Sequence, residues 1–188
     1  MLELKFDKFP VLETDRLLLR QLTMDDVPVL FEMRTNPLTN LYTDRPKMKT
    51  LEEAAEKMKT IIAMVDNRDG IAWAIDLKES KKQIGEISFW RLIKEHYRAE
   101  IGYSLHPDYW QKGYATEAAQ AIIDYGFSTL NIHSIEANVN PNNVASTKLL
   151  EKLKFVREAY FRENYYYDGK FLDSAIYSLV NEHGKING

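Results

Sequence analysis

Between Ala115 and Phe127 the chain writes one unbroken apolar stripe. Ala115, Ala118, Ala119, Ile122, Ile123, Gly126 and Phe127 fall at i, i+3, i+4, i+7, i+8, i+11 and i+12, the continuous apolar face of an α-helix. Such a face must be buried against another layer, and the rest of the sequence has to supply it. Ile71 to Lys78, Gln83 to Ile93 and Arg98 to Leu105 read as three strands separated by short polar turns such as Glu79 to Lys82. Strands so close in sequence form an antiparallel meander.

The flanking segments complete the pattern. Thr14 to Leu22 reads as a strand, with Leu17 and Leu19 on one face and Leu18 and Arg20 on the other. Thr23 and Asp26 resemble a capping box, Asp25 and Asp26 suit a helix start, and Pro37 ends that helix near Asn36. Thr50 and Glu53 open a second helix that runs to about Val65 and stops before Asn67 to Gly70. After the long helix come a strand over Ser134 to Val139 and a short helix over Asn143 to Leu153, with Ala145, Leu149 and Leu153 on one side. Two last strands, Phe155 to Tyr167 and Phe171 to Val180, meet at Asp168-Gly169, a favoured hairpin pair. The order β-α-α-β-β-β-α-β-α-β-β predicts an α/β domain, a mixed, mostly antiparallel sheet of about seven strands with four helices on its faces.

The 188 residues fit one domain, with a core from about 12 to 180, and 45% hydrophobic residues suffice for that core. A formal net charge of −3 offers no broad cationic surface for nucleic acid, so an anionic ligand must be held locally. There is no cysteine, which excludes disulfides, a thiolate nucleophile and cysteine-bound zinc. His96, His106, His133 and His183 show no ligand spacing, and no metal is expected. Met1 to Pro10 lacks an uninterrupted apolar run, and no stretch approaches the ~20 apolar residues of a bilayer span. A cytoplasmic protein without a membrane partner, monomer or homodimer, is the expectation.

Two stretches carry chemistry. From Glu100 to Ala118 a strand feeds a short loop that opens the long helix at Gly113. The first turn of a helix leaves four backbone N–H groups unpaired at the positive end of the macrodipole. Gly113 removes the side chain there, so a phosphate can approach; Lys112 adds a charge and Ala115 keeps the start uncrowded. The same junction also occurs without any ligand. Neither G-x-x-x-x-G-K-[ST] nor G-x-G-x-x-G is present, which sets aside nucleotide triphosphate hydrolysis and dinucleotide redox chemistry. From Asn138 to Phe155 a polar cluster lies between a strand end and a helix start. Asn143 is a credible N-cap with Ser146 in the first turn; a cap uses one side-chain oxygen and leaves the amide N–H₂ free.

Together these stretches resemble the GCN5-related N-acetyltransferase (GNAT) superfamily, in the branch that contains the ribosomal-protein N-terminal acetyltransferases. The resemblance runs from Leu12-Glu-Thr-Asp-Arg-Leu-Leu-Leu-Arg20 to Asp173-Ser-Ala-Ile-Tyr-Ser178 and is most specific over Tyr109 to Ala118 and Asn143 to Phe155. It implies acetyl-coenzyme A as co-substrate and an amine as acceptor. The amides of Gln111, Lys112, Gly113, Tyr114, Ala115 and Thr116 would hold the diphosphate. The backbone of Tyr103, Ser104 and Leu105 would pair with pantetheine, Asn143 would bond its arm, and Ser146 would sit near the sulfur.

This chain departs from the family in four places. Trp110 stands where the general pattern has Arg or Gln, and Leu150 where many relatives have a Tyr beside the sulfur. Thiolate protonation would then pass to Ser146 or water. Lys154 replaces the usual Gly before Phe155; a positive φ there would cost Lys about 1 kcal/mol, so a different cap is expected. Tyr165 occupies the place of a hairpin Glu found in some relatives, with Glu163 two residues away on the same strand face.

Acetyl transfer from a thioester needs a neutral amine held in line and a donor aimed at the developing oxyanion. A protein α-amine, with pKa near ~8, needs less help from a base than a lysine near ~10.4. Glu86, Glu100 and His96 are the candidate bases, and each Glu has a paired-with-arginine alternative. Acceptor choice is expected to lie with Pro37 to Lys49 and the Tyr165-Tyr166-Tyr167 hairpin. Three readings stay open: acetylation of a protein N-terminus such as that of a ribosomal protein, acetylation of a small amine (polyamine, amino sugar or drug), or coenzyme A binding without turnover.

Overall fold

The computed structural model describes residues 1–182, so His183 lies outside the described residues. The strands are β1 (Leu12–Glu13), β2 (Leu17–Gln21), β3 (Ile71–Leu77), β4 (Gln83–Ile93), β5 (Arg98–Leu105), β6 (Ser134–Val139), β7 (Val156–Tyr167) and β8 (Lys170–Val180). They form one sheet of eight strands in the order β1-β2-β3-β4-β5-β6-β8-β7. Every pairing is antiparallel except that of β5 with β6. The eighth strand, beyond the seven expected, is β1. Its two residues are too few to show a periodicity, and they precede a turn in which the Leu17 amide donates to Thr14 Oγ1 at 3.0 Å.

The helices are α1 (Val27–Thr35), α2 (Leu51–Asp66), α3 (Tyr114–Ser128) and α4 (Val144–Lys152). Their ends follow the capping residues. Thr23 and Asp26 form the reciprocal box, and a three-residue turn, Met24–Asp26, runs from it into α1. Asn40 Nδ2 closes the other end of α1, donating to the carbonyls of Met33, Arg34 and Asn36 at 3.2, 2.9 and 2.8 Å. Thr50 accepts from the Glu53 amide at 3.3 Å, whereas the Glu53 carboxylate reaches back to the Lys49 amide at 2.8 Å rather than to Thr50.

The sheet lies between two helical layers, and β3 shows the division. Ile71, Trp73 and Ile75 belong to the core under α3, with Ala118, Ala119, Ile122 and Ile123; Ala72 and Ala74 face α1 and α2 with Leu30, Ala54 and Met58. Alternation along the strand gives each face its own set. Each fully buried Ile or Leu in these layers contributes ~1.5–3 kcal/mol. Trp73 fixes the amino-terminal segment to this core, its indole N–H donating to the Pro10 carbonyl at 2.7 Å.

One expectation fails at the end of α4. Lys154 adopts φ 68°, so no alternative cap replaces the left-handed residue. Its amide donates to Glu151 O at 3.0 Å and the Phe155 amide to Leu150 O at 2.9 Å, the paired bonds of a Schellman terminus. Phe155 and Leu150 are both buried. Seating that aromatic ring outweighs the strain at Lys154. Replacing Lys154 with Gly is expected to raise unfolding free energy by about 1 kcal/mol, read as a higher urea midpoint at unchanged m-value. An unchanged midpoint would show that Lys154 carries no strain.

Candidate active site

The parallel pairing of β5 with β6 lasts three residues, Arg98↔Ser134, Ala99↔Ile135 and Glu100↔Glu136. Beyond it β5 stays paired with β4 as far as Leu105, and β6 stays paired with β8 as far as Val139. The two strands therefore diverge, and both leave backbone groups without a strand partner along a wedge-shaped gap. Charges brace its base. Arg91 Nη2 lies 2.7 Å from Glu100 Oε2 and 3.2 Å from Glu136 Oε1, and Arg98 pairs with Glu136. A register shift in β4 between Phe89 and Arg91 leaves Trp90 as an extra residue beside the gap.

A cavity of about 830 Å³ runs along the gap, lined by residues of β4, β5, β6, α2, the start of α4 and the loop before α2. Alternation along β5 gives it two sides. Tyr103 points toward α4, where its phenol lies 2.7 Å from Ser146 Oγ. Burial, opposed by the bond to Ser146, leaves the Tyr103 phenol pushed up to about 12. Ser146 is buried, its amide held at 3.1 Å by Asn143 Oδ1, the N-cap of α4. The Asn143 amide N–H₂ stays free among the described residues and faces the cavity. Leu150, one turn beyond Ser146, is fully buried in the core and brings no polar group to the site.

Glu100, Gly102 and Ser104 point to the other side, opposite Arg91, Ser88 and Glu86 of β4. Arg34 lies 3.2 Å from Glu86 and Arg91 2.7 Å from Glu100. Burial pushes the Glu100 carboxyl up; Arg91 opposes this and Glu136 adds to it. His96 is exposed, in the turn after β4, and does not line the cavity. Tyr165 lines it and donates to Asp44, which also takes a longer bond of 3.5 Å from Asn140 Nδ2. Burial and the Asp44 carboxylate together push the Tyr165 phenol up. Glu163 does not share that face. A bulge between Phe161 and Tyr165, with Glu163 at φ 49°, breaks the alternation and leaves Glu163 exposed. Tyr166 is the exposed member of the tyrosine run.

The loop into α3 lies beyond the mouth of the gap. Trp110 donates from its indole to the Leu105 carbonyl at 2.8 Å, anchoring the loop to β5 and occupying that carbonyl. Gln111 at φ 59° and Gly113 at φ 82° turn the chain sharply, and Gly113 is the N-cap of α3. The Glu117 amide reaches Gly113 O at 3.0 Å. The amides of Gly113, Tyr114, Ala115 and Thr116 have no carbonyl within the helix. Lys112 is exposed beside them. Sequence reasoning misses the side-chain roles of Tyr103 and Asp44, since no local pattern marks their contacts with Ser146 and Tyr165, made across 43 and 121 positions. Among the described residues no three His, Asp or Glu are grouped to hold a metal ion, and no helix is long and apolar enough to cross a membrane.

Sheet order, gap and helix start together have the form of an acyl-transferase fold, and comparison with known proteins identifies it. Residues 16–156 match the family described as "Acetyltransferase (GNAT) domain". The chain is 38% identical over 172 residues to the uncharacterized N-acetyltransferase YoaA of Bacillus subtilis, covering 92% of this chain and 97% of YoaA. It is 33% identical over 103 residues to the ribosomal protein uS5-alanine N-acetyltransferase of Escherichia coli, covering 54% of this chain and 53% of that enzyme. The crystal structure of a GNAT-family acetyltransferase from Bacillus anthracis superposes with a TM-score of 0.81 at 27% identity, covering 91% of this chain and 98% of that one. A spermidine N-acetyltransferase from Vibrio cholerae, in complex with coenzyme A and spermine, shares the fold with a TM-score of 0.79 at 22% identity, covering 89% of this chain and 96% of that one. The chain belongs to the GNAT family. It is an N-acetyltransferase that uses acetyl-coenzyme A.

Replacing Arg91 with Leu removes the cation beside Glu100, and the Glu100 carboxyl is expected to titrate at higher pH still. Carbon-detected NMR titration of the glutamate side chains reads this directly. A Glu100 titration that stays in place would mean that Arg91 contributes nothing to it.

Proposed function

We propose that this enzyme acetylates the N-terminal α-amine of a protein, such as a ribosomal protein, with the donor lying in the gap between β5 and β6. The amides of Gln111 through Thr116 receive the diphosphate. Pantetheine follows the free edge of β5 along Tyr103 and Ser104 to the Leu105 amide, and Asn143 N–H₂ bonds its arm. The thioester then reaches Ser146, and the amine arrives from the side of Glu86 and Glu100.

The observation that carries the acceptor class is the charge of that side. Its carboxylates are engaged: Glu86 by Arg34, Glu100 by Arg91 and Asp44 by Tyr165. Arg45 and Lys57 line the same cavity without an ion pair among the described residues, and Arg45 Nε is buried with no hydrogen-bond partner. Tyr165 is a neutral donor and leaves the charge of Asp44 in place, so Arg45 and Lys57 set against Asp44 give that side an excess of positive charge, which a polycationic amine would meet. A peptide α-amine brings backbone carbonyls that can accept from Arg45.

In the reaction the neutral amine attacks the thioester carbonyl. The N–C bond forms, the C–S bond breaks, coenzyme A leaves as the thiolate, and the nitrogen loses one proton. Glu100, which lines the cavity, takes that proton directly or through a water, and burial, by raising its carboxyl, makes it a stronger base. Glu86 holds Arg34 and shapes the acceptor side. Tyr103 and Ser146 share one hydrogen bond, and with Tyr103 as its donor the serine hydrogen is free to face the sulfur.

Calorimetric titration of acetyl-coenzyme A into wild type and Gly113→Glu tests the donor site. Wild type is expected to bind and the variant not to, since φ 82° and a carboxylate both oppose the diphosphate. Equal binding by the two would move the donor elsewhere. Mass spectrometry after incubation with a free-amine peptide and with spermidine tests the acceptor. A gain of ~42 Da, the mass of an acetyl group, on spermidine alone would assign the small-amine reading, and turnover of neither would move the acceptor to another amine. Arg45→Ala is expected to lower kcat/KM for the peptide about ten-fold while acetyl-coenzyme A affinity stays constant.

A further inference from the structure

The loop that opens α3 is held from outside by the turn between β1 and β2. Arg16 Nη1 donates to the Lys112 carbonyl at 3.0 Å, and its Nε donates to Glu117 Oε2 at 2.7 Å. Nη2 lies 2.6 Å from the same Glu117 oxygen. The other oxygen, Oε1, accepts from the Arg16 amide at 2.9 Å and from the Thr14 hydroxyl at 2.6 Å. The guanidinium also lies over the Tyr114 ring, 4.4 Å from its centroid. Burial pushes the Glu117 carboxyl up, but Thr14 and Arg16 together more than offset it and hold it below its ordinary range.

This arrangement answers two difficulties of an anion site on a chain of net charge −3. Glu117 is a carboxylate in the first turn of α3, at the end that receives the diphosphate. Unneutralised, it would repel that ligand. The second difficulty is the orientation of the loop amides. The Lys112 carbonyl and the Gly113 N–H belong to one planar peptide and point in opposite directions. By holding the carbonyl, Arg16 aims the N–H away from itself and leaves it open to a ligand. Only a Gly follows this peptide without strain, at φ 82°, and a Cβ there would lie 3.3 Å from Arg16 Nη2.

We infer that Arg16 is a positioning residue for the coenzyme A diphosphate, acting by neutralising Glu117 and by fixing the peptide plane between Lys112 and Gly113. The inference rests on the proposed donor site, because it requires the diphosphate to lie at this loop. Lys cannot replace Arg16, since one ammonium cannot span a carbonyl and a carboxylate in the geometry of the guanidinium fork.

The test compares acetyl-coenzyme A, followed by calorimetry, with S-acetylpantetheine, which lacks the diphosphate, followed by NMR titration. The proteins are wild type, Arg16→Ala, Arg16→Lys and the double variant Arg16→Ala with Glu117→Gln, each checked for native circular dichroism. Arg16→Ala is expected to weaken acetyl-coenzyme A roughly 10- to 100-fold and to leave S-acetylpantetheine unchanged. Arg16→Lys should recover only a small part of the loss, and the double variant at least half of it on a logarithmic scale. Equal weakening of both ligands by Arg16→Ala and Arg16→Lys would reduce Arg16 to a general structural role and overturn the inference. A double variant as weak as Arg16→Ala would overturn neutralisation in favour of a direct phosphate contact. Wild type that binds S-acetylpantetheine but gains nothing from the diphosphate would remove the donor site itself, and the inference with it.

Discussion

The three-residue parallel pairing of β5 with β6 is the constraint on which the rest of the molecule depends. A sheet that closed here would satisfy the backbone of Ile101 to Leu105 and leave no cavity. The divergence is fixed from both sides, because β5 is committed to β4 and β6 to β8 over their full lengths. At the point of separation Glu100 and Glu136 are register partners, and two like charges so placed would force the strands apart without compensation. Arg91 and Arg98 supply that compensation. The same residues thus hold the strands together at the base and mark where the ladder stops.

Opening the sheet at this point gives the site its division of labour. Because side chains alternate, one strand serves two chemistries. Tyr103 addresses Ser146 and the α4 side, while Glu100 and Ser104 address the opposite side, toward Arg91 and Glu86 of β4. In the proposed reaction, donor and acceptor approach through the plane of the sheet from opposite faces, as an in-line transfer requires. The helices are placed by the same geometry. α3 starts just past the end of β5 and α4 just past the end of β6, so both unpaired amino termini lie at the open end of the gap.

Where local chemistry decides, the sequence is legible. Thr23, Thr50, Asn143 and the Asp168-Gly169 pair each set an element boundary within a few residues of its observed place. The apolar stripe from Ala118 to Ile123 is buried as its spacing requires. Local reasoning fails where a distant contact overrules propensity. Lys154 takes a left-handed φ because Phe155 is seated in a core built from other elements. Glu163 leaves the face of Tyr165 because the hairpin accommodates a bulge there. Arg16 and Glu117 are 101 positions apart, and Tyr165 and Asp44 are 121 apart. No periodicity or cap records such pairs, yet one braces the loop into α3 and the other lines the cavity.

The Tyr103–Ser146 pair also limits how the leaving thiolate is handled. A phenol pushed up to about 12 is a far weaker acid than a thiol near ~8.5. Full proton transfer from Tyr103 to the thiolate would run uphill. Tyr103 is therefore poorly suited as a proton source and well suited as a donor that stays protonated throughout turnover. In the arrangement where Tyr103 donates to Ser146 Oγ, the serine hydrogen is left as the group that can face sulfur. Stabilisation by a fixed hydroxyl dipole suffices for a thiolate, which leaves readily without first being protonated. The replacement of the family's tyrosine by Leu150 is then consistent with an active enzyme. The hydroxyl pair is built from β5 and α4 together, and the side chain at position 150 belongs to the core.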